Sequence, residues 1–507
     1  MKQFVRTVMV VTIFSVCEKF LGFLYRIFLS RTIGSEGIGL YQVALSVFAL
    51  ILTIVCSGTP ITVSRLMTKY RAENQIEKVY KVISAGISFT LAVALPVALF
   101  FMVFGKKFTF MFADERCMKI FLVLVPGLIF TSVYSVLRGV FWGNKDFLPY
   151  SVTELLEEIC MIVVGIILIR NCTDIYQGAF RAGLAVLISY IFSFSLASIM
   201  FAVRKNKLKN PSNQFKPLLK SALPVTAMRT ANSLSSSLVS ILLPARLIAV
   251  GFSPTEAMSA FGASMGQAMP LLFIPITLIG SFILVLIPEI SENYYSGRDY
   301  YLKRDVEKAL KFSFFLTAVF VPVFFVCGEE IGVLVFSSYE CGKYLSAFSF
   351  LMPFISLSSL TTSILNSIGL EHKTLGCFII SGAFMLASAF FLPAFIGIYA
   401  LLVGLSFVYG LSTILNLVLI HKHCKKKPQY LKFFFSSALF ILPACAIGLV
   451  LEKLLLARLG SLLSLAVISI IISAIFCGLC LLFNLSDLKS FRTAKNKNLK
   501  QKRSATI

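Results

Sequence analysis

Charge is scarce in this sequence. Asp, Glu, Lys and Arg make up 14% of its 507 residues, against about 25% in a soluble domain. With 58% of the residues hydrophobic, so few charges cannot clothe a water-soluble surface, and the excess must face lipid. Histidine is nearly absent, with three residues, too few for a metal centre. Two of them, His421 and His423, flank Lys422 in a basic stretch. The twelve cysteines contain no CxxC pair. Most, such as Cys56, Cys160, Cys377 and Cys477, lie in apolar runs, where a thiol behaves as a small hydrophobe. Cys327 and Cys341 flank one short segment, and pairing them would need an oxidising compartment. There is no P-loop, HExxH, nucleophile elbow or acidic metal cluster. No polar segment is long enough for a soluble catalytic domain. An enzyme and a self-contained ATP-driven pump are both disfavoured, and no cofactor is expected.

What is present is a series of apolar runs. They fall at 4–30, 37–64, 82–104, 118–142, 149–169, 176–203, 218–249, 256–290, 309–327, 344–367, 374–395, 397–420, 431–451 and 460–484. Each reaches or exceeds the roughly 20 residues that a helix needs to cross a bilayer. Lys2 and Arg6 before the first run imitate a signal peptide, but Glu18 and Lys19 interrupt the run and no small-x-small site follows. The expected fold class is an all-α polytopic membrane protein of about fourteen transmembrane helices.

The net charge is +24. Its basic residues sit in short gaps between spans, which argues against nucleic acid as a partner. If the N-terminus is cytoplasmic, the even-numbered loops and the two tails hold 32 of the 47 Lys and Arg, and the odd-numbered loops hold 11. That bias predicts both termini inside. The remaining four are Lys19, Arg26, Arg138 and Arg229, all within spans.

The chain also repeats. Pro60, Pro96 and Pro126 are matched by Pro288, Pro322 and Pro353 at offsets of 228, 226 and 227. Glu77-Lys78 and Glu307-Lys308 follow the first pair, and Gly143 and Gly369 follow the last. The shift spans six helices, an even number, so the copies share one orientation. The expected organisation is an N-terminal lobe at 1–204, a C-terminal lobe at 205–424, two further helices within 425–485, and a basic tail at 486–507. That tail suits attraction to anionic lipid, or a scaffolding role.

Ionisable groups in mid-membrane are costly and usually face a bundle interior or a wet cavity. Lys19 and Arg26 are seven apart on the first span and share a face. Arg229 lies in span 7, the repeat partner of span 1. Arg138 lies near the inner end of span 4. Span 5 carries Glu154, Glu157 and Glu158. Glu18 can neutralise Lys19 or Arg26, and Glu154 or Glu157 can pair Arg138 or Lys145. Alternatively, basic groups from the two first helices form an anion site, for which Arg fits phosphate well. Gly58-Thr59-Pro60, Pro126-Gly127, Pro270, Pro275 and Pro353 interrupt helical hydrogen bonding, as static kinks or as hinges.

The stretches Leu21-Gly22-Phe23-Leu24-Tyr25-Arg26, Leu29 to Gly34, and Gly37-Ile38-Gly39-Leu40-Tyr41-Gln42 resemble the start of the stage V sporulation protein B family. Arg138-Gly139-Val140-Phe141-Trp142-Gly143, followed by Pro149 and Glu157, also resembles that family. The same holds for Met265 to Leu272, Pro275, and Leu286 to Ser291. The family belongs to the multidrug/oligosaccharidyl-lipid/polysaccharide exporter superfamily. The resemblance implies a two-lobed, V-shaped transporter in the bacterial cell membrane that flips lipid-linked oligosaccharide precursors. By motif position Lys19 and Arg26 match basic cavity residues of related lipid II flippases, with Arg229 a looser match. The family's span-5 Glu is often followed by Arg four residues on, but here Met161 follows Glu157. An acidic residue frequent in span 7 is replaced by Ser235, Ser236 and Ser237.

Two transport readings follow. One is a monomeric flippase for an undecaprenyl-pyrophosphate-linked sugar such as lipid II, acting by alternating access within membrane lipid, with Lys19, Arg26, Arg229 and Arg138 as substrate-binding residues. The other is a cation-coupled multidrug exporter of the same superfamily, with Glu18, Glu154 and Glu157 as charge partners or ion-coupling groups.

Overall fold

The computed structural model describes residues 2–204, 206–211, 213–455 and 461–483, and every regular element among them is helical. The basic tail at 486–507 lies outside the described residues. The helices are α1 (Lys2–Cys56), α2 (Thr59–Ala72), α3 (Ile76–Phe104), α4 (Glu115–Leu124), α5 (Gly127–Gly143), α6 (Phe147–Ile169) and α7 (Ile175–Val203). Next come α8 (Phe215–Ala249), α9 (Pro254–Phe261), α10 (Met269–Tyr295), α11 (Asp299–Val326), α12 (Gly328–Phe336), α13 (Tyr339–Phe348) and α14 (Met352–Ser367). The series ends with α15 (Glu371–Phe391), α16 (Pro393–Ile396), α17 (Ala400–Leu405), α18 (Ser412–His423), α19 (Leu431–Leu455) and α20 (Ser461–Phe483).

Among the described residues, eleven helical stretches are long and apolar enough to cross a membrane, or twelve with the bent pair α4 and α5 taken as one span. The chain is a multi-pass integral membrane protein. Its first stretch, Ile13–Ala72, has 60 residues. At 1.5 Å per residue that is about 90 Å of helix, three times the roughly 30 Å hydrocarbon thickness. The stretch breaks inside α1 at Gly34, with φ 66° and ψ −177°. Only glycine adopts that conformation without steric cost. Gly34 falls in the 31–36 gap between the first two apolar runs.

The chain packs as two compact units, Met1–Gln267 with Ala389–Ile398, and Ala268–Ser388 with Tyr399–Ile507. In the first unit, α8 runs antiparallel to the second half of α1 and to α2. Ser237 Oγ donates to the Ser46 carbonyl at 2.7 Å, Gly58 N to Thr226 Oγ1 at 3.2 Å, and Arg65 Nη2 to Ser221 Oγ at 2.8 Å. Span 7 therefore packs with the first unit, although the sequence expectation places it in the 205–424 lobe. Between membrane helices there is little hydrophobic drive, so close backbone approach matters. A Cβ on Gly139 of α5 would meet the Pro60 backbone of α2. Around that contact Val63, Met67, Val82, Ile83, Val136 and Phe141 form a buried cluster.

In the second unit α11 packs against α14, α19 and α20. Phe314 stacks on Phe434 with centroids 4.6 Å apart. Cys327 and Cys341 are both buried and free. The local order of elements repeats. Helix α3 contains Pro96, and α11 contains Pro322. Each is followed, after a short intervening helix (Gly105–Met111 or α12), by a ten-residue helix, α4 or α13, whose N-cap side chain accepts a backbone N–H: Asp114 in one case, Ser338 in the other. Then come α5, capped by Pro126, and α14, which opens at Pro353. The third proline pair differs. Pro60 opens α2, where a missing N–H costs no helical bond, whereas Pro288 falls within α10.

Candidate functional site

The first half of α1 carries Glu18, Gly22 and Arg26 at four-residue intervals, which stacks them in one row. Facing that row, α6 carries Glu154 and Glu158 at the same interval. A Cβ on Gly22 would lie 2.8 Å from Glu158 Oε1. The α6 carboxyl thus fills the gap left by a missing side chain. Its electrostatic neighbours are Glu18, one turn before Gly22, and Arg26, one turn after it. Arg26 also donates from Nη1 to the carbonyl of Gly266 at 3.0 Å.

Gly266 belongs to the π-helical turn Gly262–Ala268. Such turns free backbone groups from the α-helical ladder and often mark functional sites. The next residue, Gln267, is fully buried. It donates from Nε2 to Ser30 Oγ at 2.7 Å and accepts from Ser35 Oγ at 3.2 Å. Backbone contact reinforces this seam, because a Cβ on Gly39 would run into the Met258 carbonyl, and one on Gly262 into the Ser35 carbonyl.

A second group lies on α5 and α6. Arg138 Nη1 pairs with Glu154 Oε1 at 3.1 Å. Its guanidinium lies 5.3 Å from the Trp142 ring centroid and 6.0 Å from that of Tyr150. Trp142 and Tyr150 meet edge to face. Glu157 reaches Ser193 of α7. Tyr134 Oη is buried and has no hydrogen-bond partner among the described residues.

The structure brings together Glu18, Arg26, Arg138, Glu154 and Glu157 on α1, α5 and α6 of one unit. Lys19 is exposed beside this row, on the Arg26 face. Arg229 is exposed on α8. It lies between the contacts that Thr226 and Ser237 make with the Ser46–Gly58 stretch. Among the described residues no hydrogen bond or ion pair joins Arg229 to Lys19 or Arg26. The sequence showed Glu158 without giving it a role and did not single out Gln267. The four-residue spacing of Glu154 and Glu158 is a usable signal, and so is a glutamine between two apolar helices.

The balance of charge is chemically informative. Four carboxyl groups (Glu18, Glu154, Glu157 and Glu158) share the neighbourhood of two guanidinium groups (Arg26 and Arg138). Planar guanidinium groups and an exposed ammonium suit phosphate oxygens. An excess of carboxyl groups suits a proton or a small cation.

Comparison with known proteins agrees with this architecture. A family described as polysaccharide biosynthesis protein matches residues 4–294. Stage V sporulation protein B of Bacillus subtilis (strain 168) is 25% identical over 373 residues, covering 70% of each chain. Lipid II flippase MurJ of the same organism is 23% identical over 349 residues, 62% of each chain. Among solved structures, lipid II flippase MurJ in an inward closed conformation covers 93% of this chain and 99% of its own, with TM-score 0.70 and 17% identity. An inward-facing multidrug resistance MATE family transporter of the MOP superfamily covers 79% and 93%, with TM-score 0.66 and 17% identity. The two structural matches establish the fold.

Proposed function

Because the chain belongs to the polysaccharide biosynthesis protein family, we propose that it flips an undecaprenyl-pyrophosphate-linked saccharide, such as lipid II, across the bacterial cytoplasmic membrane by alternating access. One observation carries the reading: Lys19 and Arg26 share a face of α1 at membrane depth, Lys19 exposed and Arg26 bound to a neutral carbonyl. A carbonyl accepts a hydrogen bond without cancelling the positive charge, and Glu158, an electrostatic neighbour of Arg26, forms no ion pair with it among the described residues. Arg138 is already engaged by Glu154. The phosphate site therefore rests on Lys19 and Arg26, with Arg229 a further contact.

We read the chain as crossing the membrane fourteen times, with both termini cytoplasmic. The eleven apolar stretches and the bent pair supply twelve crossings. The break at Gly34 divides the first stretch into two. Helix α6 has 23 residues and supplies the last despite its three carboxyl groups. The Lys and Arg asymmetry supports the orientation. Two lobes at 1–204 and 205–424, with 425–485 and the tail appended, remain our organisation by descent, and the flippase acts as a monomer.

The test is translocation of fluorescent lipid II by the full chain in proteoliposomes. Wild type should move it, and Lys19→Ala/Arg26→Ala should reduce the rate at least tenfold. Undiminished transport in that variant would sink the site.

The carboxyl excess favours a second reading, a cation-coupled exporter of the same superfamily, with Glu18, Glu154 and Glu157 holding the coupling ion. Dye efflux that follows an imposed proton or sodium gradient, with no lipid II transport, would select it.

A further inference from the structure

The second unit contains a cavity of about 430 Å3. Its walls come from α10, α14 and the π-helical turn Ser406–Leu411 that precedes α18. Thr277, Ser358, Ser359, Thr362, Ser363 and Tyr409 bring six hydroxyl groups to it. Among the described lining residues there is no Asp, Glu, Lys or Arg.

The hydroxyls on α14 recur at positions i, i+1, i+4 and i+5, so they share one helical face. A polar layer behind them fixes that face. Ser358 Oγ is 2.8 Å from Ser412 Oγ. Asn416 of α18, almost wholly buried, donates from Nδ2 to Thr361 Oγ1 at 3.2 Å and to Thr362 Oγ1 at 3.0 Å. Thr362 accepts there and keeps its own proton to give. Thr277 and Ser363 commit their protons to carbonyls of their own helices, at 2.7 and 2.8 Å, and keep lone pairs to accept with. The wall therefore presents donors and acceptors side by side. Phe273 and Tyr409 add two aromatic rings, and Ile276 and Ile355 add apolar surface.

This chemistry discriminates among ligands. A phosphate would find no cation. A metal ion would find no carboxylate, in a space far larger than it needs. An isoprenoid chain would leave the Thr362 proton unmatched, which costs free energy in an apolar site. A sugar ring has hydroxyls that both donate and accept, and apolar C–H faces suited to aromatic rings. The volume lies in the range of small-molecule sites, about 300–1,000 Å3.

We propose that this cavity is a saccharide-binding site that reads the neutral sugar of the lipid-linked substrate. The inference rests on the flippase reading above for its source of sugar. The ligand class follows from the cavity alone.

The test compares affinities of purified full-length protein for lipid II and for undecaprenyl pyrophosphate. Wild type should prefer lipid II by about tenfold, the effect of two or three neutral hydrogen bonds. Ser359→Ala/Thr362→Val/Ser363→Ala should erase that preference. The milder Ser359→Ala/Ser363→Ala, which leaves the Asn416 contacts intact, should reduce it about threefold. Equal wild-type affinity for the two lipids would overturn the sugar site and leave the flippase reading standing. A preference that survives both variants would also overturn it. If wild type binds neither lipid, the flippase reading fails, and a soluble N-acetylhexosamine disaccharide decides the cavity. Saturable binding that the variants weaken would then support a sugar site, and its absence would overturn it.

Discussion

The two units handle polarity within the membrane differently. In the first, α1, α5 and α6 bring Glu18, Arg26, Arg138, Glu154, Glu157 and Glu158 together, and their partners are charges, tyrosines and freed carbonyls. In the second, α11, α14 and α18 carry Thr317, Ser356, Ser358, Ser412, Thr361 and Asn416, all neutral and joined in pairs by side-chain hydrogen bonds. The contrast appears within the repeat itself. Arg138 stands twelve residues after Pro126, and Leu365 twelve after Pro353. The same helical scaffold thus takes an ionic interior once and a hydroxylated one once. An ionic interior can attract phosphate and ions over a distance, at a desolvation cost. A hydroxylated interior costs little and recognises shape and hydrogen bonding. On the two proposals above, charge recognition falls to one unit and sugar recognition to the other.

The largest effect that would break this division is expected at Arg26. Arg26→Ala removes a guanidinium and leaves the carboxyl of Glu158 without its nearby cation. Arg26→Ala/Glu158→Gln should recover most of the stability, read by thermal unfolding in detergent, yet still transport lipid II at least tenfold more slowly than wild type. Recovery of transport along with stability would show that Arg26 serves only the packing of α1 on α6.

A somewhat smaller effect is expected at the glycine seam of the first unit. Gly39→Ala would drive a methyl group into the Met258 backbone carbonyl, which cannot rotate away. The expected loss is about 1–3 kcal/mol. In the second unit, Gly478→Ala meets nothing within 4 Å and should be neutral or stabilising by up to about 1 kcal/mol, from helix propensity. Melting temperatures of the two variants check the pair. Equal responses would remove the argument for a tight backbone seam at α1.

A double-mutant cycle on Arg138 and Glu154 should give a coupling of about 1 kcal/mol. The two side chains are 27% and 22% exposed, so water weakens the pair. Coupling near zero would free Arg138 for substrate and enlarge the phosphate site.

Much of this was legible in the sequence, for identifiable reasons. Apolar runs mark spans because lipid demands them, and the 31–36 gap located the break at Gly34. The seven-residue spacing placed Lys19 and Arg26 on one face because helical period is local. The Arg138–Glu154 pair is one of the alternatives the sequence left open, in which Glu154 or Glu157 pairs Arg138 or Lys145, and the packing of α5 on α6 selects it. Glu158 was not placed near Arg26, because that proximity depends on how α6 sits against α1 and on the space left by Gly22. Gln267 was hidden for a similar reason, since its partners Ser30 and Ser35 lie more than 230 residues away. The hydroxyl cavity was illegible because Ser and Thr in an apolar helix ordinarily bond to their own backbone. Only the packing of α10, α14 and the Ser406–Leu411 turn shows which of them line a space.

The smallest effect is the one that best sharpens the contrast. Thr317 Oγ1 and Ser356 Oγ lie 3.2 Å apart, fully buried between α11 and α14. One of the two protons joins them, and the other goes to a carbonyl of its own helix: Ser313 for Thr317 or Pro353 for Ser356, each at 2.9 Å. Thr317→Val/Ser356→Ala removes both hydroxyls together and strands neither. Removing matched neutral partners is nearly neutral, so the expected change is below about 1 kcal/mol, with lipid II transport retained. The ionic counterpart, Arg138→Met/Glu154→Leu, also removes both partners. There, however, Tyr134, Tyr150 and Trp142 lose the charges around which they are arranged, and Glu157 loses a nearby cation. That variant should be the more disruptive of the two in both stability and transport. If the hydroxyl pair proved the costlier to remove, the neutral network would be structural in its own right, and the contrast between an ionic and a hydroxylated interior would lose its energetic basis.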